Sequence, residues 1–234
     1  MRQTRDTTQQ SRFKDAPWFP RENEYVLIGG AGGIGSWLSF FLTKIGFNLY
    51  LYDFDTVEDH NLGGQLFRQA DLGISKTMAV TKIVHDFCDG QITTFTLPVT
   101  PDTMTHTYCF SAFDNMEARR ILFDVWKKSW GLAQGTGVTP IFIDGRLELE
   151  QIQIFCVTPE NADRYEREHL FHDSVVGEAP CTMKQTSHTA AMIGSLMTAF
   201  FTNHIANTYA KEIIREVPFY HEYLVPMNYT NSEL

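Results

Sequence analysis

The chain has 234 residues, a formal net charge of −9 and a hydrophobic content of 43%. This length allows one large domain or two small ones, and one domain is the simpler interpretation. An acidic balance offers no electrostatic footprint for a nucleic-acid backbone or an anionic membrane surface, so neither partner is expected. No apolar stretch reaches the roughly 20 residues that a bilayer span needs, so no membrane-crossing segment is expected either.

The first residues, MRQTRDTTQQ, are polar and charged. They lack the apolar run of a secretory signal, so a cytoplasmic location is expected. Two prolines follow, and residues 1–20 are predicted to be a flexible segment or to lie across a neighbouring surface. The chain has no CxxC pair, which predicts free thiols and no zinc site. Its cysteines are Cys88, Cys109, Cys156 and Cys181.

From residue 24 onward, short apolar runs alternate with segments of helical length. YVLIGG predicts a strand that ends in glycines, GSWLSFFLTKIGF predicts a helix, and NLYLYDFD predicts a second strand. Residues 75–87 fit an amphipathic helix, ITTFTLPV a strand, and TYCFSAF a buried strand that ends at Asp114. Strands that alternate with helices predict an α/β fold with a Rossmann-like, doubly wound and mainly parallel sheet.

The C-terminal half predicts an antiparallel extension of this sheet. After the helical MEARRILFDVWKKSW, the alternation in TPIFIDGRLELEQIQIFCVTP indicates one or two strands around a turn at Asp144 and Gly145. Residues 160–181 mix charge, glycine and proline without a clear period, which predicts a long, exposed crossing loop. Residues 182–215 are predicted to be helical, with small residues that allow close packing. We therefore predict a single domain over residues 21–234.

Gly30, Gly32 and Gly35 form a GxGxxG motif between a predicted strand and a predicted helix, with Gly33 inside it. Glycine allows backbone angles that other residues avoid, and it lets N–H groups at a helix N-terminus approach phosphate or sugar. The motif therefore predicts a nucleotide site. The alternative is a glycine turn that only packs the helix tightly on the strand.

Asp53 and Asp55 end the second strand, about 20 residues after the glycines, where the Rossmann pattern places a carboxylate on the ribose hydroxyls. This spacing supports a nucleotide without choosing between a hydride-transferring dinucleotide and ATP. A turn or helix-capping acid is the alternative role for Asp55.

Further polar residues follow the later strands: Asn61, Gln65, Lys76, Asp114 and Arg119. Ligands of open α/β sheets bind at the carboxyl ends of the strands, where these groups are expected to converge. Lysine can neutralise phosphate charge during substitution, and an aspartate can hold a phosphate-bridging Mg²⁺. The combination favours phosphate chemistry over hydride transfer, which requires neither group.

The string YDFDTVEDHNLGGQLFRQADLGISK, with the glycine turn before it and FDNMEAR after it, resembles the HesA/MoeB/ThiF superfamily, which includes the ubiquitin-activating enzymes. The resemblance runs from about Glu24 to Asn207. It implies an ATP-binding adenylation domain that uses MgATP to adenylate the C-terminal carboxylate of a small ubiquitin-like or sulfur-carrier protein. It also implies a homodimer.

The resemblance implies a role for each residue of the motif. Asp53 would hold the ribose, Lys76 the phosphates, and Asp114 both the Mg²⁺ and the reacting phosphate. Asn61 and Gln65 would line the same nucleotide site.

The chain departs from the superfamily at Gly64, where the usual NLxRQ motif has an arginine. Arg68, or an N-terminal arginine such as Arg12 reaching a neighbouring subunit, is expected to compensate. A non-catalytic scaffold subunit of an activating-enzyme pair is one alternative, favoured by Gly64. An NAD-dependent oxidoreductase on the same fold is the other. Many bacterial relatives also bind zinc through two CxxC pairs, which this chain lacks.

Cys181 lies at the end of the predicted crossing loop. Superfamily members that pass the activated carboxylate to sulfur keep a cysteine in this region, so Cys181 is a candidate acceptor. A thiolate can attack an acyl-adenylate because AMP is a good leaving group, and Lys184 and His188 lie near it in sequence. An inert thiol is the alternative.

Overall fold

The computed structural model describes residues 10–21, 24–88, 90–171, 186–209 and 215–234. The strands are β1 (Tyr25–Gly29), β2 (Asn48–Tyr52), β3 (Ile92–Phe95), β4 (Tyr108–Ser111), β5 (Ile141–Glu148), β6 (Gln151–Val157), β7 (Tyr220–Leu224) and β8 (Tyr229–Glu233). The helices are α1 (Gly33–Lys44), α2 (Lys76–Phe87), α3 (Met116–Lys127), α4 (Trp130–Ala133), α5 (Ala162–His169) and α6 (Ser187–Tyr209). In the described part of the chain the strands form one eight-stranded sheet in the order β3-β2-β1-β4-β5-β6-β7-β8.

Helices cover both faces of the parallel half of the sheet. Strands β3, β2, β1, β4 and β5 run parallel to one another. Along β1, Val26 and Ile28 pack in one cluster with α1, α2 and α6, whereas Leu27 packs in the other with α3 and α5. This follows because successive side chains of a strand point to opposite faces. The predicted Rossmann-like, doubly wound fold is confirmed.

The antiparallel extension is also confirmed, but its predicted turn is wrong. Strand β5 pairs parallel with β4 and antiparallel with β6, and β7 and β8 continue the antiparallel order. Asp144 and Gly145 lie inside β5, and the turn falls at Leu149 and Glu150. Asp144 tolerates a buried strand because two arginines pair with it, and a Cβ on Gly145 would lie 2.5 Å from Sδ of Met197.

The predicted crossing loop over residues 160–181 is wrong for its first part, which forms helix α5. Ala162 and Tyr165 are buried there, so one face of a charged segment packs on the domain. The remainder, residues 172–181, lies outside the described residues. Helix α6 begins at Ser187, and close packing is confirmed at Gly194, where a Cβ would lie 3.2 Å from the backbone nitrogen of Leu38.

The described part of the N-terminal segment packs on the domain. The side chain of Gln10 is buried against Gly46, and Trp18 packs against the hydrophobic cluster that contains α1. Residues 1–9 lie outside the description, so a flexible segment over residues 1–20 stays a prediction. In the described residues, no helix combines the length and apolar character that a bilayer span requires.

Candidate active site

A cleft of about 900 Å³ opens at the carboxyl ends of the parallel strands. Its walls include Gly30 after β1, Asp53 after β2 and Asp114 after β4. Helices α1 and α3, which follow the neighbouring strands β1 and β4, pack on opposite faces of the sheet. The cleft therefore lies at the switch point, where doubly wound folds bind their ligands.

The glycine turn forms the floor of the cleft and leads into α1. Gly30 has a φ of 93°, which L-amino acids with side chains rarely adopt. A Cβ on Gly35 would lie 1.8 Å from the carbonyl oxygen of Gly30, so Gly35 permits the close approach of helix and strand. Gly30, Gly32 and Gly33 line the cleft, and a Cβ on Gly32 would meet none of the described residues within 4 Å. The turn thus exposes backbone at a helix N-terminus, a favourable position for phosphate.

Asp53 joins the glycine turn to the end of β2. Its Oδ2 accepts a hydrogen bond from the backbone N–H of Ala31 at 2.6 Å, and its Oδ1 accepts one from that of Asp55 at 2.8 Å. Burial raises the pKa of Asp53, against the lowering effect of these N–H groups and of Lys76. Both carboxylate oxygens keep a lone pair for a further donor such as a sugar hydroxyl.

Lys76 begins α2 and pairs with Asp55. Nζ of Lys76 donates to Oδ2 of Asp55 at 2.7 Å, and only 10% of the lysine side chain is exposed. The hydroxyl of Ser75 caps the helix by accepting from the N–H of Met78. A backbone bond from Lys76 to the carbonyl of Asp55 holds the two segments together. The aliphatic stem is therefore buried, while its charged end borders the cleft.

Two amides line the same side of the cleft. Oδ1 of Asn61 accepts from the N–H of Glu58 at 2.9 Å, which fixes this buried side chain. Oε1 of Gln65 is buried, and none of the described residues donates a hydrogen bond to it. An unsatisfied buried acceptor is unfavourable. Gln65 also lines the cleft.

Asp114 is exposed on the loop between β4 and α3. Its neighbour Asn115 caps α3 by accepting from the N–H of Ala118 at 2.9 Å, and it donates to Oδ1 of Asp114 at 3.2 Å. No group of three or more His, Cys, Asp or Glu side chains suited to a metal occurs among the described residues. Mg²⁺ usually takes one or two carboxylates together with phosphate oxygens and water, a requirement that a single exposed aspartate beside a phosphate site fits.

A buried ionic network lies behind the loop that carries Asp114. Arg119 donates from Nη1 to Asp144 and from Nη2 to the carbonyl of Phe113. Asp144 also accepts from Nε of Arg146 at 2.7 Å and from the hydroxyl of Tyr165 at 2.8 Å. Burial alone would raise the pKa of Asp144, but the two arginines hold it below its ordinary value.

Comparison with known proteins identifies the family, since residues 21–231 match the ThiF family. The chain belongs to the ThiF family. Ubiquitin-like modifier-activating enzyme 5 of Dictyostelium discoideum is 36% identical over 98 residues, which cover 41% of this chain and 23% of that protein. Adenylyltransferase and sulfurtransferase MOCS3 of the same organism is 33% identical over 110 residues, covering 44% and 26%. This ThiF-family chain therefore aligns with about a quarter of the length of either relative.

Solved structures share the fold. E. coli MccB, crystallised with ATP, superposes with a TM-score of 0.66 at 17% identity, covering 97% of this chain and 71% of that one. E. coli TcdA, a tRNA N6-threonylcarbamoyladenosine dehydratase, superposes with a TM-score of 0.62 at 14% identity, covering 87% and 96%. These likenesses show the fold, and the family match confirms the superfamily predicted from the motifs.

The ThiF-family cleft brings together most of the predicted site residues, but not all. Gly64 lines it without a side chain, as expected from the sequence. Arg68 does not line it, because its guanidinium pairs with Asp71 and Asp86. Arg12 is exposed outside the cleft, and Cys181 lies outside the described residues.

Sequence reasoning missed the far end of the cleft in this ThiF-family domain. This end is lined by Arg146, Phe155, His169 and Phe171. Burial and the charge of Arg146 lower the pKa of His169. The only signal in the sequence was an arginine directly after Asp144 and Gly145, inside a segment interpreted as a turn.

Proposed function

We propose that this ThiF-family chain adenylates the C-terminal carboxylate of a small ubiquitin-like or sulfur-carrier protein with ATP. The observation that carries the proposal is the convergence of Asp53, Lys76 and Asp114 on one cleft beside the glycine turn. Relatives named as a ubiquitin-like modifier-activating enzyme and as an adenylyltransferase support it. So does the likeness to MccB and TcdA, each crystallised with ATP.

In the proposed complex, the triphosphate lies against the N-terminus of α1, where N–H groups and the helix dipole favour negative charge. Asp53 accepts from the ribose hydroxyls, and Asn61 and Gln65 line the nucleotide site. Lys76 shifts its ammonium group from Asp55 toward the phosphates, a short movement for a flexible side chain. Asp114 would hold Mg²⁺, which supplies charge neutralisation on the phosphate oxygens when bound.

The reaction is a substitution at the α-phosphorus. A carboxylate oxygen of the carrier forms a bond to this phosphorus, and the bond to the pyrophosphate oxygen breaks. The products are an acyl-adenylate and pyrophosphate. The protein contributes mainly positioning and charge stabilisation, which dominate phosphoryl-transfer chemistry.

The test is carrier-dependent exchange of labelled pyrophosphate into ATP. Lys76→Ala and Asp114→Ala are expected to lower the exchange rate by about 100-fold or more, the size of a lost transition-state charge contact. Lys82→Ala, on the exposed side of the same helix as Lys76, and Asp102→Ala, at another exposed carboxylate, are the matched controls. Exchange at the original rate in Asp114→Ala would remove that residue from the mechanism.

A scaffold subunit is the second candidate, because Gly64 provides no cation and Arg68 pairs elsewhere. A scaffold would bind carrier or partner yet give no exchange alone. Exchange that appears only after a second ThiF-family chain is added would establish this alternative. A hydride-transferring enzyme would give no exchange under either condition.

We also propose that the chain forms a homodimer in which an N-terminal arginine such as Arg12 completes the partner's cleft. Arg12→Ala and Asp114→Ala would then each be inactive alone, whereas a mixture would regain part of the exchange. Sedimentation of the protein as a monomer at assay concentrations would contradict the dimer.

Transfer to Cys181 is the last proposed step. Its thiolate would attack the acyl carbonyl, and the bond to the AMP oxygen would break, leaving a thioester and AMP. Cys181→Ser should keep the exchange but lose the thiol-sensitive adduct with the carrier. Lack of such an adduct in the unmodified protein would refute the step.

A further inference from the structure

The cleft continues beyond Asp114 to the antiparallel part of the sheet. Four aromatic side chains, termed here the aromatic end, line this part of the wall: Phe155, His169, Phe171 and Tyr220. The ring of Phe155 lies 4.5 Å from that of His169 and 5.0 Å from that of Tyr220, centroid to centroid. No step of ATP binding described above uses these rings.

Arg146 contacts the aromatic end and lines the same cleft as Asp114. Its guanidinium carbon is 4.7 Å from the ring centroid of Phe155 and 5.8 Å from that of Phe171. Its Nη2 donates to the carbonyl of His169 at 2.9 Å. Its Nε donates to Asp144, and Nη2 also donates to the hydroxyl of Tyr165, so three hydrogen bonds fix the plane of the guanidinium. Such preorganisation lowers the entropic cost of binding a ligand.

One donor group of this fixed guanidinium remains available. The contacts of Arg146 use Nε and Nη2, and no described residue accepts a hydrogen bond from Nη1. The residue lines the cleft, with 14% of its side chain exposed. A guanidinium N–H that faces the cleft can donate a charge-assisted hydrogen bond to an acceptor brought by a ligand.

The charge around Arg146 favours an anionic ligand. Asp144 is the carboxylate that pairs with Arg146, and it also pairs with Arg119. The other hydrogen bonds of Arg119 go to the neutral carbonyls of Phe113 and Gly145. Two guanidinium groups thus share one carboxylate, so the network of Arg119, Asp144 and Arg146 carries one net positive charge. Guanidinium groups bind carboxylates especially well because their planar N–H donors match the two oxygens.

We propose that Arg146 binds and orients the terminal carboxylate of the acyl donor, with the aromatic end as the wall beside the residues that precede it. This inference rests on the proposed adenylation and names the residue that selects the reacting group. Lys76 borders the cleft on the β2 side, next to the glycine turn, whereas Arg146 lies beyond Asp114 on β5. The carboxylate would therefore approach the α-phosphate from the β5 side.

The first experiment needs no variant. Two synthetic peptides ending in Gly-Gly, one with a free carboxylate and one with a terminal carboxamide, are titrated into the protein in the presence of a non-hydrolysable ATP analogue. The carboxylate peptide is expected to bind about tenfold to 100-fold more tightly, the range for a charge-assisted hydrogen bond. Equal behaviour of the two peptides, including no binding of either, would overturn the proposal.

The second experiment assigns this discrimination to Arg146. Arg146→Gln should bind both peptides alike and raise the KM for the carrier about tenfold or more, while the affinity for the ATP analogue changes less than about twofold. Arg146→Lys keeps a partner for Asp144 and should restore part of the discrimination. Arg167→Gln, on the exposed side of α5, is the control. A parallel loss of ATP-analogue affinity would place Arg146 at the phosphates and overturn the proposal.

The two proposals fail in different ways. Discrimination between the peptides without any pyrophosphate exchange would refute adenylation and leave a carboxylate-binding site. Exchange that is insensitive to Arg146→Gln and Arg146→Lys would support adenylation and refute the role of Arg146.

Discussion

Asp144 holds two buried guanidinium groups, and its removal is expected to destabilise the fold more than any single hydrogen bond would. The side chains of Arg119 and Arg146 are 6% and 14% exposed, and that of Asp144 is fully buried. Asp144→Asn keeps the shape but leaves both arginines without their counter-charge. Breaking a buried pair in this way costs about 3 to 5 kcal/mol in the free energy of unfolding.

The matched control is Tyr165→Phe. The hydroxyl of Tyr165 donates a hydrogen bond to Asp144 and accepts one from Nη2 of Arg146. Its removal leaves both ion pairs in place, so a loss of about 1.5 kcal/mol is expected. Urea unfolding followed by circular dichroism measures both values, with an unchanged slope as the sign that the denatured state is unaffected. For a domain of this size, Asp144→Asn should lower the melting temperature by roughly 6 to 20 °C.

The pH dependence gives a second check on Asp144. Its pKa is lower in the folded chain than the ordinary value of 3.8, so the pair contributes stability above that pH and loses it as the pH falls through the folded pKa. The stability difference between the unmodified protein and Asp144→Asn should stay constant from about pH 5 to about pH 7 and shrink below about pH 4. A difference smaller than that of Tyr165→Phe, or one that does not shrink in acid, would refute this account.

Four further outcomes are expected from the structure. Gly35→Ala should have a lower urea midpoint of unfolding, because its Cβ would lie 1.8 Å from the carbonyl oxygen of Gly30. Gly32→Ala should keep its urea midpoint but bind ATP more weakly, because its Cβ would meet none of the described residues and would occupy space in the cleft. Burial raises the pKa of the Cys109 and Cys156 thiols, so neither should react with a thiol reagent at about pH 8 before unfolding, as peptide mapping can show. Arg68→Gln should leave pyrophosphate exchange within about twofold of the original rate, since Arg68 lies outside the cleft; a large loss would restore its predicted role at the phosphates.

The parallel half of the fold could be predicted because its signals are local. Apolar runs of strand length, such as those at Tyr25–Gly29 and Asn48–Tyr52, alternate with segments of helical period, and few architectures fit that order. The position of Asp144 inside a strand could not be predicted, because aspartate followed by glycine is a common turn signal. What keeps Asp144 in a strand is its pairing with Arg119, 25 residues earlier in the chain, a contact that exists only after folding.

The nucleotide end of the cleft follows from motifs, whereas the carboxylate end does not. Asp53, Lys76 and Asp114 each follow a recognisable strand or begin a recognisable helix, so their meeting at one edge of the sheet was predictable. Arg146 is held by hydrogen bonds to Tyr165 and His169 of α5, a largely charged helix of which only one face is buried. Ala162 and Tyr165 are spaced by three residues, as one helix face requires, but this short signal was outweighed by the surrounding polar residues.

Strand β5 pairs with β4 in the parallel half of the sheet and with β6 in the antiparallel half. Because both pairings fix its register, residues cannot be inserted within β5 without disrupting one of them. Residues Ile141–Asp144 pair with β4, and Phe142–Glu148 pair with β6. One inserted residue within these pairs would turn every following side chain to the opposite face, so Arg146 would leave the cleft. At Leu149, where the backbone already adopts a φ of 56°, a longer hairpin tip would leave both ladders intact. Insertions at that tip would therefore preserve the sheet, but because Leu149 lines the cleft they would change the wall of the proposed site.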